Sequence, residues 1–232
     1  MIPSFTSYTR TSAPALTGSR RSSVYTLFAL AMILTAVGIG AGVTFALPII
    51  ASGWAFGLIL VQFALVLTAR MWSRTAPLNY FMFALFPLIS GLTITPFLIS
   101  VLTGYANGAT ILVNAVIATV LLSGAAALLA RMGIDSLGSI GGLLFNAVIG
   151  LVILGILQLV FPSLRGGPFE VIVSGVGILT FSVFLAYDIR RLGQMEAAGE
   201  SPVLLALSLY LDAFNLFISV VRFMVAIGGR RR

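Results

Sequence analysis

SGVGILTFSVFLAYD (Ser174–Asp188) and LLALSLYLDAFNLFISVVRF (Leu204–Phe223) decide how this chain folds. Both are apolar runs within Val171 to Ile227, joined by a short charged connector around Glu196 and Glu200. Each carries one aspartate, Asp188 in the first and Asp212 in the second, placed symmetrically about residue 200. If both runs are helices folded back antiparallel, the two carboxylates reach nearly the same depth. Carboxylates inside a membrane are costly and mark function by default.

Outward from this hairpin, the rest of the chain is as apolar. Of 232 residues, 59% are hydrophobic and 8% charged, against about 25% charged in soluble domains. Mean hydropathy is +1.14. No charge interrupts Ser22 to Ala69, Thr75 to Ala130, or Ser136 to Leu164. A helix crosses a bilayer with about 20 apolar residues, so these stretches hold two, two and one crossings, and the final hairpin brings the total to seven. The fold expected is all-α: a polytopic membrane protein, with a seven-helix transmembrane domain over 24–229. The spans fall near Val24–Leu47, Trp54–Met71, Leu78–Thr103, Ala109–Ala130, Leu137–Phe161, Phe169–Ile189 and Pro202–Ile227. Pro48 and a Ser52-Gly53 turn close the first. Pro87 and Pro96 should kink the third.

Residues 1–23, rich in Ser and Thr, read as a disordered cytoplasmic tail. Ser19-Arg20-Arg21 has a faint twin-arginine look, but the apolar run that follows is too long for a signal segment. With the N-terminus inside, Arg10, Arg20, Arg21, Arg70, Arg74, Arg131, Arg190 and Arg191 fall inside and Arg165 outside. That asymmetry sets the orientation in a bacterial inner membrane. The basic end, 230–232, then lies outside, unless the last run re-enters and returns.

The chain has no cysteine and no histidine. Thiol sites are excluded, and any response to pH near neutrality must be carried by carboxylates. The net charge of +7 is all arginine, set singly or in pairs beside apolar runs. This is the positive-inside pattern, not a nucleic-acid surface. No nucleophile–base set or phosphate loop points to an enzyme. Intramembrane aspartyl proteases place one aspartate after glycine, whereas here the contexts are Tyr187-Asp188 and Leu211-Asp212. No internal repeat supports an inverted-repeat transporter.

On the last span Ser208, Asp212, Asn215, Ser219 and Arg222 fall on one helical face. Polar groups facing lipid would lack partners, so this face points inward and the last helix is central. Ser208, Asn215 and Ser219 read as interhelical glue, and Arg222 as either functional or a snorkelling cation. Gly38 and Gly42 read as a packing pair, as do Gly142 and Gly150 around Asn146. The aspartates carry two readings. In one they share a proton and titrate as a unit, pinning the last two helices together until deprotonation drives them apart. In the other Asp188 forms a structural salt bridge with Arg191 or Arg74.

Tyr187-Asp188, Leu209-Tyr210-Leu211-Asp212, Asn215-Leu216-Phe217 and Arg222 together resemble the signature of the Bax inhibitor-1 (transmembrane Bax inhibitor motif) family. Ser90-Gly91-Leu92-Thr93 followed by Pro96 is similar to its third-helix pattern. The resemblance implies a seven-helix bundle around the last helix, and a pH-sensitive calcium leak gated by an aspartate pair, here Asp188 and Asp212. It implies a gating arginine at the inner end of span two, where Arg70 and Arg74 bracket the place and Arg74 is favoured. Bacterial relatives can carry a glutamate in span two, where this chain has Gln62. A firm calcium site needs six to eight oxygens. Two carboxylates with amides such as Asn114, Asn146 and Gln158 allow only weak, transient coordination during passage. Calcium would therefore be cargo, and no resident cofactor is expected. The relatives also imply a partner, a membrane-bound AAA+ quality-control protease, for which the Arg- and Ser-rich tail would be a handle.

Overall fold

A computed structural model describes residues 18–51, 54–132, 141–164 and 166–231. Most of the tail (1–17), the Ser52-Gly53 turn, the start of span five at Leu137, Arg165 and Arg232 lie outside the described residues. The described chain is helical almost throughout: α1 (Gly18–Ala51), α2 (Trp54–Leu67), α3 (Ala69–Trp72), α4 (Leu78–Gly104), α5 (Gly108–Arg131), α6 (Gly141–Val160), α7 (Gly167–Ala197) and α8 (Pro202–Gly228). Six of these are long and apolar enough to cross a membrane, and Phe56–Leu67 is a shorter apolar helix. This is an all-α polytopic membrane protein.

The second expected span departs from expectation. The Trp54–Met71 run is broken at Thr68 into a helix of 14 residues and one of 4. Helix α2 is therefore only about 21 Å long, short of the ~30 Å hydrocarbon core. Its direction is nevertheless that of a crossing. Thr95 reaches the Ile39 carbonyl, and a Cβ on Gly91 would strike the Thr35 carbonyl. Contacts thus advance together along both helices, so α1 and α4 run parallel and α2–α3 must carry the chain back between them. Gly38 and Gly42 make that approach possible: a Cβ on either would collide with the Leu88 backbone or with Thr95. Both prolines of α4 lie inside the helix, which continues through them.

Two other boundaries moved. Helix α1 begins at Gly18, ahead of the expected Val24. Helix α7 runs through Arg190 and Arg191 to Ala197, because no breaker precedes Gly199. There the chain takes φ +78° and the Glu200 amide donates to the Met195 carbonyl at 3.0 Å, a Schellman turn suited to glycine. Ser201 then caps α8: its Oγ accepts from the Val203 amide at 3.3 Å, and Pro202 follows at the first helical position.

Helix α8 is the centre of the bundle. It packs against α1, α4, α5 and α7, and 61% of its apolar window is buried, against 11% for α6. Tyr210 is fully buried, edge-on to Phe86 at 5.9 Å and stacked on Phe214 at 5.5 Å. Thr35 spends its hydroxyl proton on the Ala31 carbonyl, so Tyr210 donates to Thr35 across 2.7 Å. That bond joins α8 to α1. The helix is continuous to Gly228 and does not re-enter. Its end docks on the α4–α5 turn, where Asn107 donates to the Gly228 carbonyl at 2.8 Å and accepts from the Arg230 amide at 3.0 Å.

The expected packing role of Gly142 and Gly150 is not met. A Cβ on either would find open space, and Asn146 between them is exposed. Helix α6 is peripheral, so this face meets none of the described residues.

Candidate functional site

The α7–α8 hairpin aligns its polar residues in antiparallel register. Ser208 donates to Asp188 Oδ2, Ser219 packs where a side chain on Gly177 would go, and Arg222 meets Glu170. The inward face inferred from spacing is thus the face of α8 turned to α7. Its members behave differently. Asn215 donates to the Leu211 carbonyl and Ser219 to the Asn215 carbonyl, both at 2.8 Å, so their bonds stay within α8.

Asp188 lies against Ser208, one helical turn before Asp212 on α8, but the structure does not bond the two carboxyls to each other. Ser208 holds Asp188, while Asp212 is buried with Oδ2 lacking any partner. The direct carboxyl–carboxyl bond expected from the sequence is replaced by a hydroxyl one helical turn before Asp212. An unpartnered carboxyl oxygen in an apolar setting is costly, so this is the least satisfied point of the hairpin.

The salt-bridge alternative fares no better. Among the described residues neither aspartate is ion-paired. Arg191, three residues on from Asp188 in α7, instead bonds the Tyr187 hydroxyl and lies 4.8 Å over that ring. Arg74, favoured as the gating arginine, pairs instead with Glu200 at 3.3 Å near the surface. Arg70 lines a cleft of about 200 Å³ together with Ser208, the residue that holds Asp188, whereas Arg74 is not part of that lining.

Gln62 is tied to α4, donating to Ser90 Oγ at 2.9 Å and accepting from Thr93 at 3.4 Å. It occupies the span-two position as a structural amide. Asn114 and Asn146 are exposed on the outside of the bundle and cannot supply oxygens to the aspartates. Among the described residues no three carboxylates gather into a metal site.

Arg222 does not snorkel. Its Nε donates to Glu170 Oε1 at 2.5 Å and its Nη2 to Oε2 at 3.0 Å, a two-point pairing of the stronger kind. Gln158 of α6 joins the same cluster, bonding Arg222 and donating to Glu170 at 2.8 Å. Glu170 went unremarked in the sequence. The hairpin register would have found it, since if 188 lies opposite 208, then 222 falls within about a turn of 170.

A family model described as "Inhibitor of apoptosis-promoting Bax1" matches residues 19–230. The chain belongs to the Bax inhibitor-1 family. Among its relatives is an uncharacterized protein of Campylobacter jejuni, 32% identical over 89% of this chain and 87% of that one. The inner membrane protein YbhL of Escherichia coli is 30% identical over 76% and 74%. Protein LIFEGUARD 4 of Arabidopsis thaliana is 25% identical over 85% and 81%. Family membership agrees with the signature residues on α7 and α8, and the likeness to YbhL agrees with an integral inner membrane protein.

Proposed function

We propose that this Bax inhibitor-1 family protein is a pH-sensitive leak for cations, calcium foremost, gated at Asp188 and Asp212. The observation that supports it is the pairing of a Ser208-held Asp188 with a buried Asp212 whose Oδ2 has no partner. A proton retained by the carboxyls limits their charge, so that the Ser208–Asp188 bond keeps α7 and α8 together. Loss of that proton leaves like charges on adjacent helices in a low dielectric, and their repulsion spreads the hairpin. The cation passes with weak, transient coordination by the two carboxylates.

The test is calcium flux into liposomes holding the purified protein, followed across pH. Flux should rise with pH in the wild type, and Asp188→Asn or Asp212→Asn should shift or flatten that rise. Unchanged flux and midpoint in both variants would remove the aspartates from the gate. A regulatory role toward a membrane-bound protease is separated by deleting residues 1–17. The leak should survive that deletion, whereas a tail-dependent interaction would not.

A further inference from the structure

The cleft beside the hairpin is lined by Val66, Ala69, Arg70, Leu204, Ser208 and Leu211, among others. Its walls are apolar except for two groups. The Ser208 proton is committed to Asp188, which leaves the Arg70 guanidinium as the group that can recognise charge. Arg70 is exposed and, among the described residues, has no carboxylate partner. Its neighbours Leu67 and Met71 are 80% and 79% exposed, which places it where apolar side chains meet lipid. It also lies one turn from Ser73, whose carbonyl accepts from the Ser201 hydroxyl at the mouth of the α7–α8 turn. Below it the lining of α8 descends about 10 Å from Leu204 to Leu211. The site thus offers, at headgroup level above an apolar slot entering from the side, one cation with no carboxylate partner among the described residues.

We infer that this cleft binds an anionic phospholipid, with the headgroup phosphate on Arg70 and an acyl chain along Val66, Leu204 and Leu211. Basic pockets between transmembrane helices bind anionic headgroups in this way, and a fork of guanidinium donors suits a phosphate. Nearby Arg74 serves as an internal comparison, since its charge is already met by Glu200. The inference does not rest on the leak, because it is read out as lipid binding.

The experiment is native mass spectrometry of the full chain in detergent, titrated with dioleoylphosphatidylglycerol or dioleoylphosphatidylcholine. The lipid with net negative charge should bind about fivefold more tightly than the zwitterionic one. Arg70→Gln should abolish that preference, Arg74→Gln should keep it, and Leu204→Trp, which fills the slot, should weaken binding with both arginines present. Equal losses in the two arginine variants would show diffuse surface charge and overturn the site. So would an Arg70→Gln variant that keeps the preference, or displacement of the lipid by inorganic phosphate alone. Because Arg70 is exposed, its substitution leaves the fold intact and the result can be read.

Discussion

Ser208 and Tyr210 sit two positions apart on α8 and therefore face different neighbours, one toward α7 and the other toward α1 and α4. Ser208 supplies the bond that Asp188 accepts, so Ser208→Ala leaves that carboxyl without its donor. We expect the pH dependence of calcium flux in liposomes to move in this variant while the fold persists. An unchanged profile would count against the hydroxyl as part of the gate. Tyr210→Phe keeps the ring contacts with Phe86 and Phe214 and removes the hydroxyl that bonds Thr35 and interacts with Ser90. Its cost should be about 0.6 kcal/mol, as for other interhelical bonds in membranes, seen as a small drop in thermal stability in detergent. The spacing of polar residues on α8 was legible in the sequence. What each one bonds was not, because Ser208 finds its partner on another helix and Asn215 finds its own in the preceding turn.

At the scale of elements, contact quality separates glycines that look alike in sequence. A Cβ on Gly91 would meet the backbone carbonyl of Thr35, which cannot swing aside, whereas one on Gly150 would meet nothing. Gly91→Val should therefore abolish monodisperse protein on size-exclusion chromatography. Gly150→Ala should be neutral or slightly stabilising, given the helix preference of alanine. The Glu170–Arg222–Gln158 cluster ties α6, α7 and α8 together at the end away from Ser201. Glu170→Gln would leave the part-buried Arg222 guanidinium bonded to Gln158 but without its carboxylate. Breaking a fully buried pair costs about 3–5 kcal/mol, and the 28% exposure of Arg222 brings the expectation down to about 2 kcal/mol. Thermal unfolding in detergent measures it. Helix existence and most boundaries followed from hydropathy and arginine placement. The break at Thr68 did not, because no proline or glycine marks it and Arg70 just beyond reads as the ordinary end of a span.

For the molecule as a whole, the parallel run of α1 and α4 and the docking of Gly228–Arg230 on Asn107 put the α4–α5 turn and the end of α8 at one end of the bundle. The α7–α8 turn lies at the other, with Arg74 and Glu200. The native chain contains no cysteine, so single cysteines report topology cleanly. With the arginine-rich end inside, Ala106→Cys should react with an impermeant maleimide in intact cells, and Ala198→Cys only after permeabilisation. Labelling of both from one side would contradict the odd number of crossings. The seven-segment count and the central last helix were legible from composition and from the polar face of α8. The state of the aspartates was not, since it depends on a register set by the turn at Gly199.

Helix α2 is about a third shorter than the hydrocarbon core, so the crossing is completed only by the short, offset turn of α3. Lipids along that flank must shorten or tilt to meet it, while those beside α4 and α5 need not, so the protein should sit in a dimpled bilayer. Membrane thickness then becomes a physical input: in vesicles of 14-carbon chains the dimple relaxes, and in 22-carbon chains it deepens. The stress falls on the side of the molecule that carries the break at Thr68.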